Sequence, residues 1–230
     1  MKKKFVVMML ILPICCLAAQ KPKNGVTEPE SVNRFGIYGG MGVHGTDAPS
    51  IVDHLNTAYG SSLLVGRFAT SIEFFGGCEV PVNRSWAVKA EYSLLFKSYT
   101  LTGTTYGYGN VDLRYNVQAP TIMAQYVIPG AGYFIKLGAG GGYHWGTVSV
   151  KTAVNGQETF YNANGIGGRA EIEGQTAFDS HLFGYISGTV GFEALGKVKT
   201  DAGGELANGS GPVSLNYATA GVRFGLMYFF

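Results

Sequence analysis

The four histidines are the first residues of this sequence that could carry acid–base or nucleophilic chemistry. A serine hydrolase needs a hydroxyl, an imidazole and a carboxylate in hydrogen-bond reach of one another, and on a strand a serine two residues from a histidine would share its face. The residues two positions after the histidines are Thr46, Asn56, Gly146 and Phe183. We therefore predict no catalytic residues. Glu73 or Glu171 could orient His44 or His144, and we interpret both histidines as polar filler of an interior.

Metal and nucleotide chemistry are not indicated by the remaining motifs. No pair of histidines or cysteines has the spacing of metal ligands. The glycine run from Gly138 to Gly142 lacks the following helix of a phosphate-binding loop, so we interpret it as glycines that let a strand curve. Cys78 falls among apolar residues, where a cysteine acts as a small filler. We expect neither a metal nor a cofactor.

Charged residues keep to one parity in stretches that alternate with large apolar side chains. This period of two is typical of strands with one apolar and one polar face. If the polar face lines an interior, long side chains of opposite sign would interlock across it. The residues predicted to form this lumenal charge network are Arg34, Arg67, Lys89, Lys97, Arg114, Lys136, Arg169 and Arg223 with Glu73, Glu79, Glu91, Glu171, Glu173 and Glu193.

Eight such stretches follow one another from Arg34 to Phe230 and predict eight strands. In the fourth, the apolar residues Leu113, Tyr115 and Val117 are one step out of phase with Ile122 and those that follow it. Proline cannot donate to a β-ladder, so we predict a bulge at Pro120 that shifts the phase. Leu113, Tyr115 and Val117 would then face outward and Arg114 inward.

The connections between the predicted strands alternate in length. Short turns are expected at Pro81 to Ser85, Pro129 to Gly132 and Asp179 to His181. Long polar loops are expected at Thr46 to Ser62, Thr100 to Asp112, Gly146 to Gly168 and Gly196 to Val213. Short turns at one end and long loops at the other are the layout of a bacterial outer-membrane barrel with both chain ends in the periplasm.

The first nineteen residues read as a secretory signal peptide, with three lysines, a short apolar stretch and small residues around Ala18 and Ala19. Cleavage after either alanine fits, and we favour Ala19. Residues 20–33 would be a flexible periplasmic leader and residues 34–230 the barrel. The mature chain would keep Cys78 as its one cysteine, so it could form no internal disulfide. With 14 basic and 15 acidic residues left, we expect no nucleic-acid partner.

Alternation alone does not separate a membrane barrel from a soluble one, because either face could be the inner one. The composition favours the membrane, since charged residues make up only 14% of the chain and aromatic residues 13%. A soluble fold of this size would need more surface charge. The sequence therefore predicts an all-β fold, an eight-stranded antiparallel up-and-down transmembrane β-barrel whose outer face contacts outer-membrane lipid.

The signal peptide, the eight strands, the hairpin EVPVNRSWAVKAEYS and the aromatic C-terminus GVRFGLMYFF resemble the small outer-membrane proteins of the OmpA and OmpX type. This resemblance covers essentially the whole mature chain. It implies that the barrel-assembly machinery recognises the last strand, with Phe230 as the key residue and Phe224, Leu226 and Tyr228 in support.

An eight-stranded barrel encloses a bore that side chains just fill, so we expect a plugged lumen rather than an open pore. The predicted function is a non-enzymatic integral outer-membrane protein with a structural or adhesin-like role, with an extracellular ligand bound by its long loops. Candidate loop contacts are Tyr106, Tyr108, Phe160 and Tyr161. The alternatives are a lipid A-modifying deacylase or acyltransferase and a narrow channel for small hydrophobic molecules.

Overall fold

The structure is a computed structural model, and it describes residues 34–59, 65–101, 110–152, 156–208 and 211–230. The predicted signal peptide and leader lie outside these residues and stay predictions. Tyr106 and Tyr108 also lie outside them.

Eight antiparallel strands form a closed barrel in which each strand pairs with its neighbours in sequence and the last pairs with the first. The strands are β1 Gly36–Asp47, β2 Phe68–Asn83, β3 Trp86–Leu101, β4 Val111–Gly130, β5 Tyr133–Thr152, β6 Glu158–Ala177, β7 Leu182–Lys197 and β8 Ser214–Phe229. Closure runs along all of β1, from Gly36 opposite Phe229 to Asp47 opposite Ala218. The predicted fold class is confirmed. Closure leaves no strand edge unpaired. A sheet that crosses hydrocarbon must be closed in this way, because unpaired backbone groups are costly there.

The outer face of the barrel carries a continuous belt of exposed apolar side chains. Burial alternates along every strand, so that neighbouring residues point in and out. Aromatic pairs cross from strand to strand, such as Trp86 on Tyr126 with ring centroids 5.3 Å apart. Exposed members of the belt include Ile37, Phe74, Val88, Tyr92, Ile122, Leu137, Trp145, Ile172, Val190, Phe192, Phe224 and Leu226. Such a belt is the surface that a transmembrane barrel presents to lipid.

The short connections lie where the sequence places them, at 84–85, 131–132 and 178–181, and we call this the short-turn end of the barrel. At the opposite loop end, β1 leads into a helix, α1 Pro49–His54, which continues into a π-turn at Leu55–Tyr59. Among the described residues, no helix is long and apolar enough to cross a membrane. The expected loop from Gly146 to Gly168 is wrong, because β5 and β6 extend through most of it.

Pro120 interrupts the β-ladder without shifting its phase, so the predicted bulge is wrong. Strand β4 pairs with β5 in one register on both sides of the proline, and only the pairs opposite residues 119–121 are absent. The pairing with β3 continues through Pro120 itself, which lies opposite Tyr92. Because proline has no amide proton to donate, the ladder has a local gap on the β5 side only. A Cβ on Gly142 would collide with the Pro120 carbonyl, so glycine permits this close approach.

Candidate functional site: a layered barrel interior

The short-turn end of the interior is filled by a layer of aromatic and aliphatic side chains. Phe183 packs edge-on against Phe229 with centroids 5.1 Å apart and lies 5.8 Å from Phe134. Buried members of this aromatic layer are Tyr38, Phe75, Ala87, Val127, Phe134, Phe183, Tyr185, Met227 and Phe229. These rings pack at the distances of favourable aromatic pairs and close this end of the bore.

Arg223 lies at the centre of the interior and is 0% exposed. Its Nε is 3.0 Å from Glu73 Oε2, its Nη2 is 2.7 Å from Glu91 Oε1 and its Nη1 is 3.3 Å from Glu171 Oε2. The guanidinium carbon also sits 3.7 Å from the ring centroid of Phe75. A planar, always charged guanidinium suits such a site, because it can pair with several carboxylates and stack on an aromatic ring at the same time.

Two further cations contact the same carboxylates, and a third pairs with a separate glutamate. Arg169 donates from Nη1 to Glu91 and from Nη2 to Glu73, both at 2.6 Å. Lys89 Nζ donates to Glu171 at 2.8 Å and to Glu173 at 2.9 Å. Near the aromatic layer, Lys136 donates to Glu79 at 2.5 Å. The members of this charge network come from β2, β3, β5, β6 and β8, so it couples strands that are distant in sequence.

Both interior histidines contact carboxylates on the loop side of the charge network. His44 Nε2 lies 2.9 Å from Glu73, as the sequence suggested. His144 Nδ1 lies 2.6 Å from Glu193, and its Nε2 lies 3.2 Å from the Thr121 hydroxyl. A hydroxyl, an imidazole and a carboxylate in this order resemble a hydrolase triad. Thr121 and His144 are buried inside the barrel, so a substrate would have to enter a filled lumen to meet them.

An apolar layer fills the loop end of the interior, where the sequence predicted a polar lumen under loops. Leu113, Tyr115 and Val117 face inward, and the expectation that they face outward is wrong. Helix α1 closes this layer from above with Ile51 and Val52, and Leu55 at the start of the π-turn joins them. Its buried members are Ala48, Ile51, Val52, Leu55, Leu95, Tyr99, Leu101, Val111, Leu113, Tyr115, Val117, Ala119, Val148, Val150, Ala163, Leu195, Val198, Leu206, Val213, Leu215 and Tyr217.

Several of the predicted lumenal charges lie outside the charge network. Arg114 is exposed on the outer face, because β4 keeps its phase through Pro120. Arg67 precedes β2, is 62% exposed and lies 3.7 Å from Asp53. Lys97 is half-buried and donates to the Thr70 carbonyl at 2.8 Å. Arg34 precedes β1 and is half-buried at the short-turn end. Arg34 and Arg67 lie beyond the strand ends, where alternation no longer fixes the direction of a side chain.

The predicted loop contacts and the terminal strand are placed as follows. Phe160 and Tyr161 belong to strand β6 rather than to a loop, with Phe160 exposed and Tyr161 packed against the apolar layer. The residues of the predicted assembly signal are exposed on the outer face: Phe224, Leu226, Tyr228 and Phe230. The amide of Phe230 donates to the Phe35 carbonyl at 3.0 Å, which holds the last residue against β1.

Titratable groups at the loop end are perturbed by their surroundings. Burial lowers the pKa of His54 in α1, because the charged imidazolium would lose its hydration. Hydrogen bonds from Lys197 and then Lys199 lower the pKa of Glu205, in the connection between β7 and β8. Among the described residues, no group of three histidine, cysteine or acidic side chains could hold a metal ion. Cys78 is half-buried on the outer face and is not disulfide-bonded.

No protein-family model and no curated protein matches this chain. Among solved structures, it is similar to Neisserial surface protein A with a TM-score of 0.52 and 14% identity, over 85% of this chain and 97% of that one. It also matches the attachment invasion locus protein Ail of Yersinia pestis, solved with the heparin analogue sucrose octasulfate, at a TM-score of 0.48 and 11% identity, over 86% and 98% of the two chains. The chain has the fold of the small eight-stranded outer-membrane barrels, and the predicted resemblance is confirmed.

Proposed function

We propose that this chain is a non-enzymatic integral outer-membrane protein whose sealed barrel holds a rigid extracellular end for interaction with other molecules. The observation that carries the proposal is the filled interior. An aromatic layer, a charge network and an apolar layer follow one another along the bore, and α1 covers the last of them. A filled bore transports nothing without rearrangement. The proposed function therefore lies in binding at the surface of the barrel.

The proposed location rests on the exposed apolar belt together with the predicted signal peptide. Outer-membrane lipid is the partner that this belt fits, because water would solvate it poorly. In this location the short-turn end faces the periplasm and the loop end faces outward. The extracellular ligand would meet the extended β5–β6 hairpin, α1 and the connection between β7 and β8.

We also propose that the last strand is recognised by the barrel-assembly machinery. Phe224, Leu226 and Tyr228 are exposed on one face of β8, and Phe230 directly after the strand is exposed as well, so a partner can reach them before the barrel closes. Replacing Phe230 by alanine should lower the amount of folded protein in the outer membrane.

The two alternatives predicted from the sequence receive less support. A lipid A-modifying enzyme needs its catalytic groups at the membrane surface, whereas Thr121, His144 and Glu193 lie within the barrel. A channel for small hydrophobic molecules needs an apolar path, and the charge network crosses the middle of the bore. The hydroxyl–imidazole–carboxylate chain is better explained by the need of buried polar groups for partners.

Conductance across a planar lipid bilayer tests whether the barrel is sealed. The refolded mature protein should give no steady conductance steps at neutral pH, because side chains fill the bore along its length. A general porin refolded and inserted in the same way serves as the positive control. Stable steps from the folded protein would show an open path and would contradict the sealed-barrel proposal.

A further inference from the structure

A hydrogen-bonded chain of Thr121, His144 and Glu193 lies in the interior next to the apolar layer. His144 Nδ1 is 2.6 Å from Glu193 Oε2, and His144 Nε2 is 3.2 Å from the Thr121 hydroxyl. That hydroxyl is also 3.3 Å from the Ala119 carbonyl oxygen. In the ladder between β7 and β8, Glu193 lies opposite Tyr217, a member of the apolar layer. Without a partner, the Glu193 carboxylate would therefore lie unpaired against apolar side chains.

Two glycines make room for the imidazole of His144. A Cβ on Gly167 of β6 would collide with both the His144 ring and the Glu193 carboxylate. A Cβ on Gly142 would lie only 3.0 Å from His144 Nε2. The ring occupies the space that these glycines leave, and its side chain is 3% exposed. His144 is thus held in one position, with a different partner at each nitrogen.

The partners of His144 indicate which protons its ring carries. An ionised carboxylate only accepts hydrogen bonds, so the Nδ1 beside Glu193 is a donor. The single proton of the Thr121 hydroxyl can be directed to the Ala119 carbonyl or to His144 Nε2. All three contacts are hydrogen bonds at once only when the hydroxyl donates to Ala119 and Nε2 donates to the hydroxyl. In that arrangement both ring nitrogens carry a proton, and the ring is a cation.

The charges around His144 favour the same state. Among the described residues, the charge network joins five glutamates to four cations, and Glu193 adds a sixth carboxylate beside it. A charged His144 reduces this excess of buried negative charge, which is costly unless it is paired. On the strands packed against β5, the groups nearest to His144 are Thr121 on β4, Glu193 on β7 and Arg169, two residues beyond Gly167 on the inner face of β6.

We propose that His144 is a proton-binding site that locks the loop end of the interior. With its proton, His144 pairs with Glu193 and holds Thr121 next to the apolar layer. As the pH rises through the range in which histidine loses its proton, Glu193 is left beside Tyr217 with a neutral partner, and this end of the bore loosens. The proton therefore stabilises the folded barrel, and its contribution is present at low pH and lost as the pH rises. The inference rests on the sealed barrel of the proposed function and adds a proton-controlled lock to it.

Urea titration of the mature protein in phosphatidylcholine vesicles at about pH 5 and about pH 8 tests the lock, because histidine changes its charge between these values. His144→Gln cannot gain a charge, so its urea midpoint should fall much less between the two pH values than that of the wild type. Glu193→Gln removes the carboxylate that the proton balances and should have the same effect. An unchanged pH dependence in both variants would overturn the proposal.

The matched control for these variants is His181→Gln, which replaces a half-buried histidine at the short-turn end. It should keep the pH dependence of the wild type. His44 and His54 are present in all four proteins, so their contributions cancel in the comparison. Loss of the pH dependence in His181→Gln, with His144→Gln unchanged, would place the titrating group at the wrong end of the barrel and would overturn the proposal.

A second measurement uses the wild type and holds even if the variants fold poorly. In protein labelled with ¹⁵N in histidine, one ring in contact with the Thr121 methyl group should show two slowly exchanging N–H signals at about pH 6. One N–H signal and one bare nitrogen at this pH would show that Thr121 donates to the ring, and would overturn the proposal. Conductance across a bilayer at the same pH reports sealing, so a failure of the sealed barrel is recognised separately.

Discussion

Replacing Arg223 by alanine should lower the free energy of unfolding by about 3–5 kcal/mol, the effect expected when one member of a buried ion network is removed. The guanidinium contacts Glu73, Glu91 and Glu171, and all three are buried. Without it, three carboxylates face one another with fewer cations to balance them. Urea titration of the protein in phosphatidylcholine vesicles, followed by the emission of its two tryptophans, measures the loss.

The control for this substitution is Arg84→Ala in the exposed turn between β2 and β3. Surface changes away from special features stay within about 0.5 kcal/mol, so this variant should unfold like the wild type. Glu91→Ala removes a partner that Arg223 and Arg169 share, and it should also destabilise the barrel. If Arg223→Ala and Glu91→Ala both unfolded at the wild-type urea concentration, the charge network would carry none of the barrel's stability.

Replacing Leu113 by asparagine should cost about 4 kcal/mol, because it removes a buried aliphatic group and leaves an amide without hydrogen bonds in the apolar layer. The two side chains have similar size, so the change tests polarity rather than volume. Leu113 is 0% exposed and packs in the layer beneath α1. The same urea titration measures the cost.

Ser98→Asn on the neighbouring strand is the matched control, since Ser98 is exposed on the outer face at the same end. Water solvates the new amide there, so the change in stability should stay within about 0.5 kcal/mol. If Leu113 instead faced outward at this end of the barrel, as the sequence-based placement has it, its replacement should cost about as little as that of Ser98. Similar costs for the two variants would therefore count against the inward apolar layer.

The strands and the facing of the barrel could be predicted from the sequence because period-two alternation is a local signal that each strand repeats. Glu73, Lys89, Glu171 and Arg223 lie in the interior for this reason. The pairing of Arg223 with carboxylates on β2, β3 and β6 could not be predicted, since contacts across a bore depend on the tilt and register of all eight strands.

The loop end was misread because the barrel changes its surroundings along its own length. Inside the membrane the apolar side chains face outward, whereas beyond it they face inward as in a soluble barrel. On β4 this inversion falls near Pro120, so Leu113 to Val117 appear one step out of phase with Ile122 although the backbone keeps its register. A phase change without a bulge therefore marks the height at which β4 leaves the lipid.

Helix α1 was not predicted from the sequence, for a different reason. Its six residues are too few for a recognisable helical period, and helices this short form only when their apolar face is packed. Ile51, Val52 and Leu55 were the available signal, a group of aliphatic side chains within an otherwise polar connection. Their burial at 0–1% exposure shows that this connection is a cap on the interior rather than a solvated loop.

The most direct test of an integral, folded outer-membrane barrel is the gel mobility of the protein from a washed outer-membrane fraction, with and without boiling in detergent. We expect the protein in that fraction with a band that shifts on boiling, because a closed barrel resists detergent until it is heated. Phe230→Ala should give less of the shifting form if the last strand directs assembly. Recovery of the wild type in the soluble periplasm, with one mobility before and after boiling, would contradict the membrane barrel. The exposed apolar belt would then not be a lipid-facing surface.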